Sequence, residues 1–397
     1  MKIALVHDYL AEYGGAERVV EVMHEMWPEA PLYTAFVDWK KLGTQAKRFE
    51  HWDIRTSWVQ RFGIIKTFIS PLRFLAPWIW KSFDLSEFDV VVTSSGWFMC
   101  RGVNAGRRNR EKSSQGIPLQ ICYIHHPPKN LYGYATGSNL QKYWPVRLYA
   151  IFVNFFLRNY DFKTAQQVDY FVANSQETAA RVKKFYRRES TVVYPPITTN
   201  FKHQNPKFLP RRPCLPTGRP AGKSQNKEYY LSVGRLWWAK RVDLAISACN
   251  ALHLSLKIVG VGHEIEALKK IAGPTIEFLG SVSDTELAQL YNDAKALLFC
   301  ALDEDFGMVP VEAMAHGTPV IALAQGGVKE TVLNGKTGIL FSQASEAALI
   351  TALKKFELRS KKTDWSRTCL AQAQRFSKEK FQEEMKQFIK EKVTLVS

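Results

Sequence analysis

The strongest constraint on the fold of this chain is an alternation. Short runs rich in β-branched residues recur, each followed by a helix-length amphipathic stretch. The first half offers "KIALV", "DVVVTS", "LQICYIH", "DYFVANS" and "TVVYP"; the second offers "YYLSVG", "SLKIVG", "TIEFLG", "ALLFC", "PVIAL" and "GILF". Strands separated by helices imply parallel βαβ units, hence an α/β chain with doubly wound sheets. Eleven such strands with a break in the middle fit two sheets better than one, and 397 residues can bury two cores.

The break is compositional. Residues 194–229 are rich in Pro, Lys and Arg and carry neither helical nor strand periodicity. The expected organisation is a first domain over 1–200, a basic linker over 201–228, a second domain over 229–375, and a terminal segment over 376–397. That last segment has apolar residues at helical spacing among charges, and reads as a helix returning to the first domain. The stretch "NAGRRNREKSSQGIP" (104–118) reads as a basic loop.

Fifty-four Lys and Arg against 37 Asp and Glu give a formal net charge of +17. An anionic partner follows: nucleic acid, an anionic bilayer or phosphorylated substrates. The basic residues are dispersed, and no zinc-finger, helix-turn-helix or RNA-recognition signature appears, which argues against nucleic acid. Residues 58–83 mix Trp, Phe, Ile and Leu with Lys and Arg and hold no acidic residue. That composition suits contact with an anionic membrane, and equally a helical hairpin whose aromatics are core. The run "LYAIFVNFFL" is too short to span a bilayer. Six scattered cysteines without C-x-x-C pairing suggest a reducing cytoplasmic compartment and no structural metal.

The chemistry gathers in "EDFGMVPVEAMAHGTPV", where Glu304 and Glu312 stand eight positions apart. It follows the strand "ALLFCAL", at the sheet edge where open α/β sheets bind ligands. Pro310 and Gly317 suggest a short helix over 310–316. Ahead of it the amides of Gly307, Met308 and Val309 would form a phosphate cradle. Carboxylates beside phosphate need compensating cations. "LSVGRLWWAKRVDL" supplies Arg235 and Lys240 from another strand-to-helix loop at the same edge. Two fixed cations can hold a diphosphate and stabilise the charge that develops as it leaves, without a divalent metal. Glu312 is then free for ribose hydroxyls and Glu304 for sugar hydroxyls or a cationic sugar centre. In the first half, Gly14 and Gly15 open a helix and permit close backbone approach. His125 stands at a strand end, able to bond a sugar hydroxyl or to serve the structure alone.

Three competing patterns are weaker. "DED" at 303–305 fits a metal-binding D-x-D, but it heads the helix-terminus element. "VGVGHE" has only two of the three dinucleotide glycines. His7 and Asp8, ending the first strand, line the cleft or cap backbone.

Together these segments resemble the retaining glycosyltransferases of family 4, which have the GT-B fold. The matching elements are "GGAERVV", "YIHHPPKN", "VANSQETAARVKKFY", "VVYPP", "VGRLWWAKRVDLAI", "VGVGHEIEALKK", "FLGSVSDTEL" and "EDFGMVPVEAMAHGTPVIALAQGGVKETV", in family order over nearly the whole chain. "EDFG" and the H-x-P element look like the branch of bacterial O-antigen and exopolysaccharide mannosyltransferases. The resemblance implies two Rossmann-like domains facing across a cleft, with a C-terminal helix crossing back. It implies catalytic roles for His125, Glu304, Arg235 and Lys240. Donor binding would fall to Gly14, Gly15, Arg235, Lys240, Val282 beside the nucleobase, Phe306 to Val309, and Glu312. No cofactor is expected beyond the donor, GDP-mannose or alternatively a UDP-sugar. The acceptor would be a glycan or lipid-linked glycan at the inner face of the cytoplasmic membrane. Trp237–Trp238 departs from the family's smaller residues. The reading from a different class is a sugar-nucleotide- or nucleic-acid-binding protein without catalysis.

Overall fold

A computed structural model describes residues 1–103, 118–136, 143–198 and 229–395. The expected basic loop, except Pro118, and the linker 201–228 lie outside the described residues. The chain divides into two compact units. The first joins Met1–Pro196 to Lys378–Ser397, and the second is Ile197–Ser377. Within the second, Ile197 N–H donates to Phe376 O at 2.9 Å, so the stretch of chain that enters this unit is tied to the one that leaves it.

The first unit holds β1 (Ile3–His7), β2 (Leu32–Thr34), β3 (Ile54–Thr56), β4 (Val90–Ser95), β5 (Leu119–Ile124), β6 (Tyr170–Ala173) and β7 (Ser190–Val192). They form one parallel sheet in the order β3-β2-β1-β4-β5-β6-β7. The strand order reverses between β1 and β4. β1, β4 and β5 are buried throughout, which explains their continuous rather than alternating apolar runs. The helix Lys378–Thr394 belongs to this unit. Its Phe381, Met385, Phe388 and Ile389 enter the core that holds Val19 and Met23 of the helix Gly15–Met26.

The second unit holds β8 (Tyr230–Val233), β9 (Leu256–Val259), β10 (Ile276–Gly280), β11 (Ala296–Phe299), β12 (Val320–Leu323) and β13 (Gly338–Phe341). This parallel sheet runs β10-β9-β8-β11-β12-β13, with its reversal between β8 and β11. Both sheets therefore have the doubly wound arrangement expected from the alternation.

Two details differ from the sequence reading. Among the described residues there are two strands more than the eleven expected, β2 and β3, of three residues each, too short to show a period. The helix expected over 310–316 is Met308–Ala315, so Pro310 sits at its third position rather than its first. Proline is tolerated there because the first turn's N–H groups have no intrahelical acceptor. Gly317, with φ +74°, closes it.

The segment 58–83 folds as four short helical turns, with part of its aromatics in the core and part exposed. Val59, Ile79 and Trp80 enter the core, while Phe62, Ile64, Phe68 and Trp78 face solvent.

Candidate active site

In the second unit the chain leaves β8 at Gly234 and makes a tight loop through Arg235 and Trp237 to the turn Trp238–Lys240. The helix Val242–Ala251 follows. β11 ends at Phe299, next to β8, and leads into the acidic loop Asp303–Asp305. Between the two strand ends lies a small pocket lined by Gly234, Arg235, Lys240, Arg241, Phe299 and others. It occupies the point where the sheet order reverses, the place that open α/β sheets offer to ligands.

Two expected site residues meet directly: Lys240 Nζ donates to Glu304 Oε2 at 2.7 Å. The backbone links the same loops, with Leu302 N–H donating to Ala239 O at 2.8 Å. The Arg235 guanidinium lies 4.6 Å from the centre of the Trp237 ring. Trp237 thus gives the departure from the family pattern a physical use, because a flat aromatic face restrains a flat cation.

The acidic loop is held from behind by two glycines the sequence reading assigned no role. Gly327 N–H donates to Glu304 O at 2.8 Å. A Cβ at Gly326 would lie 2.0 Å from Glu304 O, and one at Gly327 2.3 Å from Asp305 O. Only bare backbone can come so close, and the loop position depends on it.

Gly307, left-handed at φ 91°, caps the helix Met308–Ala315 and turns its first amides outward. Phe306 is buried against Phe376, ring centres 5.3 Å apart. Its ring therefore belongs to the core, and only its backbone is left to the loop ahead of the helix. Glu312 is buried in the first turns of this helix, and Tyr291 O–H donates to its Oε2 at 3.2 Å. Val282 directly precedes Ser283, whose side chain and Glu286 form a capping box for the helix Asp284–Asp293. That cap fixes the start of the helix carrying Tyr291.

In the first unit, the helix Gly15–Met26 starts at Gly14, and Glu17 Oε2 accepts from Gly14 N–H at 2.8 Å. The other oxygen, Oε1, lies 3.4 Å from His7 Nε2. His7 Nδ1 is 3.2 Å from both Ser94 O and Ser94 Oγ. Ser94 Oγ is 2.7 Å from His125 Nε2. His7 and Ser94 are register partners at the reversal between β1 and β4, and His125 follows β5. All four side chains are buried. Burial alone would lower the His7 pKa, but the hydrogen bond and charge of Glu17 outweigh it and raise the pKa above the usual histidine value. For Glu17, burial pushes upward and the bond and charge of His7 prevail, leaving its pKa below the usual carboxylate value.

Asp8 caps backbone, one of the two roles expected of it. Its carboxylate accepts from Gly96, Phe98 and Cys100 N–H at 2.9, 3.1 and 3.0 Å, shaping the loop after β4. The sequence reading left Glu17 and Ser94 without a role. The Gly14-to-Glu17 spacing of a capping box was the available signal for the first; a lone strand serine offered none.

The comparisons with known proteins agree with this architecture. The pattern described as "Glycosyltransferase Family 4" matches residues 13–201, and "Glycosyl transferases group 1" matches residues 218–368. The alpha-1,3/1,6-mannosyltransferase ALG2 of Candida glabrata is 25% identical over 84% of this chain and 78% of its own length. D-inositol 3-phosphate glycosyltransferase of Streptomyces avermitilis is 28% identical over 47% of the chain, a match spanning only 44% of that relative. Anabaena HepE, solved with UDP, superposes with a TM-score of 0.68 at 18% identity, over 98% of this chain and 100% of that one. The apo lipopolysaccharide outer core galactosyltransferase WaaB gives 0.65 at 18% identity, over 99% and 100%. At such identities the two structures speak for the fold alone.

Proposed function

Because the chain belongs to the family 4 type of GT-B glycosyltransferases, we propose that it moves a hexose from a nucleotide diphosphate sugar to a glycan acceptor with retained anomeric configuration. GDP-mannose is the donor we favour, since ALG2, a mannosyltransferase, is a relative matched over most of its length. A UDP-sugar is the second reading, since HepE was solved with UDP. The acceptor is a lipid-linked glycan of surface polysaccharide biosynthesis.

The observation that carries the proposal is the Lys240–Glu304 contact at the β8–β11 reversal, with Arg235 in the same cleft. Arg235 and Lys240 hold the diphosphate and stabilise the charge it gains as the sugar departs, the task a divalent metal performs elsewhere. The amides of Gly307, Met308 and Val309 add donors at the positive end of a helix. Glu312 accepts from ribose hydroxyls, and Glu304 faces the sugar. Val282 lines the base. Gly14, Gly15 and His125 stand at the first unit's own sheet edge, where that sheet offers a ligand place. The leaving diphosphate takes the acceptor's proton on the face where the new bond forms. Orientation and fixed charge then carry the catalysis. A panel of nucleotide sugars, read by thermal shift and by sugar release, tests this. A single stabilising and hydrolysed donor supports the proposal; indifference to every nucleotide sugar rejects it.

We place the acceptor on an anionic membrane that the first unit touches. The helix Trp144–Gln167 turns an apolar stripe outward at Trp144, Leu148, Ile151, Phe152, Phe155 and Phe156, with Trp144 74% and Phe152 69% exposed. Trp78 stacks on Phe156, ring centres 6.2 Å apart, joining this stripe to the exposed aromatics of 58–83. Arg61, Lys81, Arg147 and Arg158 are exposed on the same segments, and 58–83 holds no acidic residue. No described helix is long and apolar enough to cross a membrane, so the apolar face serves surface contact. Burial of the aromatics and about 1 kcal/mol per basic residue would add. Sedimentation with vesicles should recover the chain on anionic lipid, less at high salt and less after Phe152→Glu. Equal recovery on neutral lipid excludes this docking.

A further inference from the structure

Lys240 reaches Glu304 from a constrained piece of backbone. The next residue, Arg241, has φ 49° and ψ 42° and is left-handed. Its N–H donates to Trp238 O at 3.2 Å, closing the turn Trp238–Lys240. Its carbonyl accepts from Leu244 N–H at 3.1 Å, opening the helix Val242–Ala251. A residue with a Cβ is disfavoured in this region, where glycine is at ease. Asp303, which precedes Glu304, is left-handed too, at φ 49°. Both members of the Lys240–Glu304 contact therefore adjoin a non-glycine residue in a costly conformation. Such conformations persist only where the surroundings hold them.

For Arg241 the hold is visible. Its Nε donates to Asp243 Oδ1 and Oδ2 at 3.0 and 3.1 Å, and its Nη2 donates to Oδ2 at 2.9 Å. A two-point fork of this kind fixes direction as well as charge. Residues two apart in a helix point to different sides and do not face each other. The fork therefore needs Arg241 to stay outside the helix. Were Arg241 to turn right-handed, the helix would lengthen by a residue at its start and the fork would break. Lys240, joined directly to it, would leave the loop in another direction. In the folded chain its ammonium lies 2.7 Å from Glu304 Oε2 and 5.6 Å from the centre of the Phe299 ring.

We infer that Arg241 and Asp243 are positioning residues for Lys240. Their fork holds the left-handed backbone, and that backbone aims the lysine at Glu304. Neither residue needs to touch the donor for this. The consequence for transfer rests on the reading of Lys240 as a diphosphate ligand; the aim of Lys240 does not.

The test reads the two separately. Acetylation of the full chain by an N-hydroxysuccinimide ester, resolved by mass spectrometry at Lys240, reports its placement without substrate. A paired, ring-covered ammonium reacts slowly. Arg241→Ala removes the fork but keeps the cost of left-handed backbone, so Lys240 should react severalfold faster. Arg241→Gly removes both, so the backbone stays and Lys240 should react as in wild type. Asp243→Asn should behave like Arg241→Ala. Adding Arg241→Gly to it should restore slow labelling, which a general loss of stability would not do. Equal labelling in Arg241→Ala and Arg241→Gly overturns the inference. In turnover at saturating donor, Arg241→Ala should lower the rate about tenfold, the ratio that left-handed backbone costs an alanine against glycine. It should cost nothing more in a chain that already carries Lys240→Ala. Labelling that shifts as expected with turnover unchanged would uphold the positioning and remove Lys240 from the diphosphate site.

Discussion

Lys240 Nζ and Glu304 Oε2 lie 2.7 Å apart, although their residues come from different strand-to-helix loops 64 positions apart in sequence. Both side chains are partly exposed, 31% and 19%. A pair so open to water contributes between 0 and about 1 kcal/mol to stability. Its worth therefore lies in placing a cation and a carboxylate side by side at one sheet edge. Glu304→Gln should leave the thermal midpoint nearly unchanged. It should lower kcat about a hundredfold while donor affinity changes little, as for a group that acts on developing charge. Calorimetric donor titration beside steady-state rates checks this; a loss confined to affinity contradicts it.

Glu312 is buried and bonded to Tyr291, so its effect should be on binding. Glu312→Ala is expected to raise donor KM by about tenfold or more, the loss of a charge-assisted bond to a hydroxyl. Tyr291→Phe should raise it less, because the carboxylate remains. KM measured against the donor identified by the panel decides the order of the two.

The His7–Glu17 pair makes stability depend on pH in a definite sense. The His7 pKa is raised in the fold, so its contribution is complete below the unfolded value near ~6.5 and is lost as pH rises through the folded value. The Glu17 pKa is lowered, so its contribution is present above the unfolded value near ~4.3 and is lost as pH falls through the folded value. The advantage of wild type over His7→Asn in urea unfolding should be largest between those limits. An advantage that grows steadily above neutrality would contradict the pairing.

Arg101 and Asp161 are each 0% exposed and form a direct ion pair. Tyr186 and Tyr132 add bonds of 3.0 and 2.7 Å to the same cluster. Asp161→Ala leaves a buried cation without its counter-ion and should destabilise the fold by about 3–5 kcal/mol. Denaturant unfolding measures this, and a loss under about 1 kcal/mol, the range of a surface pair, would show that water reaches Arg101.

Both sheets were legible because each buried strand is a short β-branched run bounded by helix-length segments. The strands β2 and β3 were not, since their three residues each gain strand identity only from the partners beside them. In the second unit the meeting of Lys240 and Glu304 at one sheet edge was legible from residue types: paired glutamates, two cations after a strand, and a glycine-capped helix. Its support was not. Gly326 and Gly327 matter through backbone proximity to Glu304 and Asp305, which no local pattern encodes. Trp237 gained meaning only when Arg235 lay over its ring. Likewise Ser94 is one polar residue in the strand "VVVTSS", and its contacts with His7 and His125 arise because β4 lies between β1 and β5. The segment 58–83 could not be assigned to core or surface in advance, because its aromatics alternate between the two on turns shorter than a helical period shows.

The clamp proposed for Arg235 and Lys240 can be tested by the initial rate of sugar transfer from the donor in Arg235→Ala and Lys240→Ala, at saturating donor and with folding verified. If these cations stabilise the departing diphosphate, each variant loses on the order of 3 kcal/mol of barrier lowering, a rate fall of about a hundredfold. Transfer at the wild-type rate in either variant would show that the leaving group draws its stabilisation from elsewhere.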